Sequence, residues 1–366
     1  MKNRNEFVSG LNVEARFLVD MLYAYVQQKD TPKIPKEINW RNFIELCYAT
    51  HFAGICIDLI KLLATDEIPD VVFQQLKSYQ LRVITSNERL IYQYNELEKI
   101  AKDEQLVLYP LKGITLMPHL YDQPFHRHLS DIDVLIDGNQ LSQWENTLSK
   151  NEFRIKRRLA KSAFHEKHNL KYDPLQAFKR DAVVDFHISL NSGFNHIDIP
   201  IESLQRNQEH LHELNQVDQL IFVCLHAYKH LYYGQLNLLH LMDILLLKKE
   251  ISSTALWERC AHFNCTNEVQ QAINISLFFF GENDRELPDW QYVILKKQLH
   301  SSTIPIHTRW LFRYRKHFRI PVFWYLLPSY LWFQIFPSAA YLRQSDGDSK
   351  YVTNWMRRIK RLLSNR

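Results

Sequence analysis

Asp131-Ile132-Asp133-Val134-Leu135-Ile136 is the stretch that decides how this chain is read. Its apolar residues suit a strand, and side chains two apart on a strand point to one face, so Asp131 and Asp133 share a side. Two carboxylates a few ångströms apart repel one another and raise each other's pKa unless a cation lies between them. Ligands that are all oxygen favour Mg²⁺ or Mn²⁺. An Asp-x-Asp pair also occurs on ordinary exposed strand ends. The interleaved Ile132, Val134 and Ile136 argue for a strand packed into a core instead.

Downstream, Ala182-Val-Val-Asp185-Phe-His187 is the other clear strand, with Asp185 and His187 on one face and Val184 and Phe186 on the opposite one. If the two strands are neighbours, three carboxylates meet. Three carboxylates can hold two metal ions roughly 3.5 to 4 Å apart, one activating an attacking oxygen and the other stabilising the leaving oxygen of a phosphoryl displacement. Taken alone, Asp185 reads equally as a strand-end cap or an arginine partner. Upstream, Leu106-Val-Leu-Tyr109 reads as a buried strand closed by Pro110, and Lys112-Gly113 marks a turn into a helix. Backbone N–H groups at such a turn favour an anion, and Lys112 could add a point charge, although Lys-Gly also occurs in ordinary turns.

The remaining pattern divides the chain. Helical spacing over residues 11–29, 41–64 and 70–105 makes residues 1–104 a helical N-terminal region. Residues 105–215 form a mixed segment, with helices over 116–121 and 141–150 and a further strand over 153–158. Helices return over 218–232, 236–249, 252–263 and 267–280, giving a helical domain over 216–300 and a basic, aromatic-rich region over 301–366. The expected fold class is α+β.

In this order, Leu111-Lys-Gly113, Leu116, Tyr121, Arg127, Asp131-Ile-Asp-Val-Leu-Ile136 and Val184-Asp-Phe-His187 resemble the uncharacterised nucleotidyltransferase family of the DNA polymerase beta superfamily. His226, Leu236 and Asp243 resemble its helical part, and Pro337-Ser338 with Tyr341-Leu-Arg343 its C-terminal end. The resemblance implies a small mixed nucleotidyltransferase-type sheet with flanking helices. It implies that Asp131 and Asp133 bind both metals, that Asp185 completes the metal site on the nucleophile side, and that Lys112 and Gly113 face the triphosphate of an NTP, with ATP the first candidate. Ile114 stands where the superfamily usually has Gly or Ser. Arg127 reads either as a phosphate-neutralising group or as the partner of a nearby carboxylate. His187, His226 and Asp243 are expected on an active-site wall.

His226-Ala-Tyr-Lys-His230 puts two imidazoles one helical turn apart, a spacing that can bind zinc when a third ligand arrives. No Glu lies between them, so the preferred reading is a structural or nucleotide-proximal pair, with His240 and Asp243 able to approach the same face.

Charge separates along the chain more than its net value of +5 suggests. Residues 300–366 hold 12 Lys and Arg against 2 Asp and Glu, whereas residues 1–299 hold 33 against 38. Arg309-Trp-Leu-Phe-Arg-Tyr-Arg-Lys-His-Phe-Arg319 precedes an aromatic run, 320–336, without formal charge. Basic residues among aromatics suit an anionic membrane surface, a lipid-linked phosphate or stacked RNA, and they equally suit a basic helix followed by core segments. Trp355-Met-Arg-Arg-Ile-Lys-Arg-Leu-Leu363 could add a short basic amphipathic helix. The 17 residues 320–336 come close to the ~20 required to span a bilayer, but Pro321 and Pro328 argue against one continuous spanning helix.

With 366 residues, 46% hydrophobic residues and only 8 Gly, the chain is long enough for two or three domains and is neither a stapled miniature fold nor a low-complexity chain. Five cysteines without CxxC spacing indicate reduced thiols, and an N-terminus without a continuous apolar run does not fit a signal peptide. The expected location is cytoplasmic, with residues 309–366 able to contact the inner membrane face. The expected activity is metal-dependent transfer of an NMP from an NTP to an acceptor hydroxyl, the acceptor being a protein, an RNA, a sugar or a metabolite. The alternatives are a catalytically idle nucleotide- or partner-binding module of the same fold, and a membrane-surface accessory protein of glycan or lipid-linked assembly.

Overall fold

The computed structural model describes residues 2–63, 67–157, 175–191, 197–207, 213–232, 236–281, 286–299, 336 and 351–356. The basic aromatic segment 309–335, most of the terminal helix expected over 355–363, and the Pro337 and Tyr341 motifs lie outside the described residues. The elements run β1 (Lys2–Asn3), α1 (Arg4–Ser9), α2 (Val13–Gln27), α3 (Trp40–Ala49), α4 (Ala53–Leu63), α5 (Asp70–Asp103), β2 (Tyr109–Leu111) and α6 (Gly113–Leu120). They continue with β3 (Ile132–Leu135), α7 (Leu141–Lys150), β4 (Arg154–Arg157), β5 (Leu175–Lys179), β6 (Ala182–His187), β7 (Ser189–Asn191) and β8 (Asp198–Pro200). The last group is α8 (Gln216–Tyr232), α9 (Leu238–Lys249), α10 (Ser253–His262), α11 (Thr266–Phe280), β9 (Glu286–Leu287) and α12 (Asp289–Leu299). The fold is α+β, as the sequence pattern implies.

A five-stranded mixed sheet in the order β2-β3-β6-β5-β4 lies between helices. Only β3 and β6 pair in parallel; the other three neighbouring pairs are antiparallel. Alternation along the strands splits the sheet's faces. Ile132, Val134, Val184 and Phe186 pack with Trp144 of α7 and the C-terminal half of α5 in one apolar core, Trp144 lying 5.4 Å from Phe186. The opposite face carries Asp133, Asp185 and His187, and Leu135 from that face joins a second core built from the helices. That second core unites the two ends of the chain. Phe7 of α1 meets Phe278 of α11 at 5.5 Å between ring centroids, and α2 packs against α11.

Helices α1 and α12 and the short strands β1, β7, β8 and β9 were not expected, and three further differences bear on the sheet and the elements around it. The first strand of the sheet is Tyr109–Leu111 rather than residues 106–109. Proline cannot donate to a ladder, but β2 is an edge strand, where Pro110 is tolerated. The periodic stretch 41–64 is two helices, broken where His51 takes a left-handed backbone with φ 65°. The strand Leu175–Lys179 was not expected, since it contains no β-branched residue.

Helix α5 runs for 34 residues, about 51 Å at 1.5 Å per residue, and so spans both cores. Its buried Val72 and Leu76 face the helical core, and Leu90 and Leu97 the sheet core. No described helix is long and apolar enough to cross a membrane.

Candidate active site

Pairing register places the acidic residues. In β3 and β6, Asp133 stands opposite Asp185 and Leu135 opposite His187, while on the other side Asp133 faces Leu111 of β2. Lys112 follows Leu111 directly, and Asp131 precedes the first residue of β3. Lys112, Asp131, Asp133, Asp185 and His187 line one cavity of about 490 Å³, between the sheet, the break after α3, and helices α8 and α9.

Within that cavity Asp133 is the most committed carboxylate. Lys112 Nζ donates to its Oδ1 at 2.7 Å and His187 Nε2 donates to the same oxygen at 2.8 Å, all three side chains being buried. Burial alone would raise the Asp133 pKa, but the Lys112 charge and the His187 hydrogen bond outweigh it and hold the carboxyl well below the usual range. Asp131 shifts the other way. Its burial and the neighbouring Asp133 charge raise it, Lys112 and the Ser130 hydrogen bond (2.9 Å) oppose this, and Asp185 raises it further. Asp185 accepts from Gln176 Nε2 at 2.7 Å across the β5–β6 pair.

The turn that delivers Lys112 is tightly specified. Lys112 adopts φ 54° and ψ −130°, outside the regions L residues prefer, and its carbonyl accepts from Thr115 and Leu116 to start α6. A Cβ on Gly113 would lie 2.7 Å from Leu129 Cδ2, so the close approach of this turn to the 127–131 segment needs glycine. Gly113 lines the cavity.

Arg127 also reaches the cavity, but its charge is spoken for. Its Nε lies 2.9 and 3.2 Å from the two Asp243 oxygens and its Nη2 lies 2.8 Å from Oδ2, while Tyr121 donates to Oδ1 at 2.7 Å. Of the two readings of Arg127, the carboxylate pair is the one present. Asp243 therefore sits fully buried behind Arg127 and is not part of the cavity lining, a correction to its expected place on the wall. Lys112 lines the cavity with its ammonium against Asp133.

The helical wall is histidine. His226, His230 and His240 cluster with ring centroids 4.4 to 6.0 Å apart, and His240 Nδ1 is buried with no hydrogen-bond partner among the described residues. Burial, reinforced by nearby Lys112, keeps all three neutral, His230 being lowered to about 4 and the other two well below their ordinary value. A second imidazole pair, His51 stacked on His128 at 5.0 Å, lines the opposite side. Sequence reasoning missed His51 and His128. His51 lies in the helical N-terminal third, and only the break after α3 turns it inward.

Asp131, Asp133 and Asp185 suit a hard divalent ion in kind. Their arrangement is less simple than expected, because among the described residues no three His, Cys, Asp or Glu groups are set to hold an ion. One Asp133 oxygen already takes two donors, Lys112 Nζ and His187 Nε2, so Asp133 has at most its other oxygen to give to an ion.

No curated protein and no solved structure matches the chain. Residues 36–281 match the profile of the uncharacterised nucleotidyltransferases, a span that takes in α3 through α11, every strand of the five-stranded sheet and every residue of the cavity. The carboxylate register, the Lys-Gly turn and that match agree, and the chain belongs to the uncharacterised nucleotidyltransferase family.

Proposed function

We propose that the cavity transfers a nucleoside monophosphate from an NTP to an acceptor hydroxyl and releases pyrophosphate. The observation that carries this reading is the β3–β6 register, which sets Asp185 beside Asp133 with Asp131 at the strand entrance, all on one cavity. Asp185 takes the proton of the attacking hydroxyl, and Gln176, 2.7 Å away, fixes the orientation of its carboxylate. Gly113 opens α6 on the cavity, where first-turn N–H groups suit the triphosphate. The neutral imidazole wall offers stacking surface and hydrogen-bonding nitrogen to the base or the acceptor. Mg²⁺ or Mn²⁺, held by Asp131 and Asp185, would offset phosphate charge when bound. Much of the acceleration then comes from orientation and fixed charge.

Incubating the protein with each labelled NTP, Mg²⁺ and a cell lysate, and then identifying what becomes labelled, tests the reading and names the acceptor class. ATP is the first donor to try. Asp133→Asn weakens the carboxylate that holds Lys112 and His187 at the site and is expected to cut labelling by about 10²-fold or more, the scale of losing one fixed charge-stabilising group. Undiminished labelling by a folded Asp133→Asn would sink the assignment.

A second reading, an idle nucleotide-binding module, is favoured by one fact: Asp133 is already neutralised by Lys112. Calorimetry showing NTP binding, with no pyrophosphate release from any acceptor, would select it. Peripheral contact of residues 309–366 with an anionic surface belongs to the same proposal, and liposome flotation at low salt tests it.

A further inference from the structure

We propose that Lys112 serves as the second cation of the acidic cluster, so that the site takes one divalent ion where three carboxylates would ordinarily call for two. The inference rests on the nucleotidyl-transfer reading of the cavity.

The geometry starts with the backbone. Lys112 is the first residue after the edge strand β2, whose last residue, Leu111, is paired with Asp133. Its φ of 54° and ψ of −130° are a conformation that a non-glycine residue keeps only where the surroundings over-determine it. That backbone sends the side chain onto Asp133: Nζ donates to Oδ1 at 2.7 Å, and the side chain is only 9% exposed. The Phe222 ring of α8 lies beneath the ammonium at 5.5 Å, and His187 closes the other side of the same carboxylate oxygen at 2.8 Å. A lysine placed for a triphosphate would keep its head toward open solvent. This one is enclosed by a carboxylate, a ring and an imidazole.

Bridging two metal ions requires a carboxylate to give one oxygen to each. Asp133 Oδ1 accepts two strong donors, which leaves at most Oδ2 for a metal. The ammonium already stands where the second ion would have to bind. It also lowers the formal charge of the three-carboxylate cluster from −3 to −2, which lessens the charge left for a second divalent ion to offset. Arg127 adds nothing to that sum because Asp243 cancels it. Lys112 thus supplies fixed positive charge at Asp133 without a metal-binding equilibrium.

Mn²⁺ titration of the full chain followed by electron paramagnetic resonance, alone and with α,β-methylene ATP as the probe, reads the stoichiometry directly. One Mn²⁺ per chain with the spectrum of an isolated ion is expected. Lys112→Ala should bind a second Mn²⁺ and show the broadened spectrum of a coupled pair. Two coupled ions in the wild type, no bound ion in either condition, or a folded Lys112→Ala that binds no more than the wild type would each overturn the proposal. Lys112→Met, closer in shape, replaces the alanine variant if circular dichroism shows that variant unfolded, and the wild-type count stands without any variant. One bound ion without label transfer to any acceptor keeps the role of Lys112 and rejects the transfer reading. Two ions with transfer does the reverse.

Discussion

Asp243 has no exposed surface and receives three short hydrogen-bond contacts from Arg127 and one from Tyr121. Burial by itself would lower the Arg127 pKa, but the Asp243 charge and hydrogen bonds reverse the shift, so the guanidinium stays charged. Burial, and then the Asp243 charge, raise the Tyr121 phenol well above its ordinary value, which keeps it a hydrogen-bond donor. Breaking such a pair leaves a bare charge in a dry site, which costs roughly 3–5 kcal/mol. Arg127→Leu is therefore expected to lose stability on that scale in urea denaturation, and Arg127→Leu combined with Asp243→Leu should recover part of it. An unchanged midpoint for Arg127→Leu would show that the residue is held in reserve for the substrate. The sequence left Arg127 open between phosphate and carboxylate because its partner lies 116 positions away. Local spacing signals strands and turns; it carries no information about a contact of that range.

At the scale of elements, the segment that leads into β3 is held from outside the sheet. Asn87, midway along α5, donates to the carbonyls of Pro124 and Arg127 at 2.7 and 2.8 Å and accepts from Leu129 N at 2.9 Å. Gly54 of α4 supports the same loop: a Cβ there would lie 1.9 Å from the Phe125 carbonyl oxygen. One long helix thus fixes the path that places Arg127 and Asp131. Asn87→Leu removes three buried hydrogen bonds at once and leaves their backbone partners unsatisfied, at ~1–3 kcal/mol. We expect that loss in denaturation, together with faster hydrogen exchange confined to residues 124–131. Exchange that changes uniformly over the chain would argue that Asn87 acts on the whole core and not on this loop. Helix α7 and strand β6 were legible to the residue, at 141–150 and 182–187, because their apolar patterns are complete within each element. The clamp was not legible, since a single Asn in a helical pattern gives no sign of what it holds.

Across the whole molecule, six histidines from five parts of the chain line one cavity: His51 after α3, His128 before β3, His187 at the end of β6, His226 and His230 on α8, and His240 on α9. Both ends of the helical core must be folded for them to meet. Five have lowered pKa values, with burial the largest cause in each. His128 and His230 fall to about 4, and His226 and His240 lie well below their ordinary value. The unfolded chain protonates these rings near pH 6.5, whereas the folded chain does not, so the unfolded state binds more protons throughout the window from about 6.5 to 4. Stability is therefore complete above pH 6.5 and falls as the pH drops toward 4. Asp131 and Asp20, with raised pKa values, act in the opposite sense but are two groups against five. Asp133, held low, adds a further loss only below the ordinary carboxylate range of about 3.9. Urea midpoints should be flat from pH 8 to 7 and decline steadily from 6.5 to 4, with a net uptake of protons on unfolding at pH 5. Replacing His226 and His240 together by Gln should flatten that slope, and a midpoint that stays constant from pH 7 to 5 in the wild type would mean that the imidazole wall is charged rather than neutral.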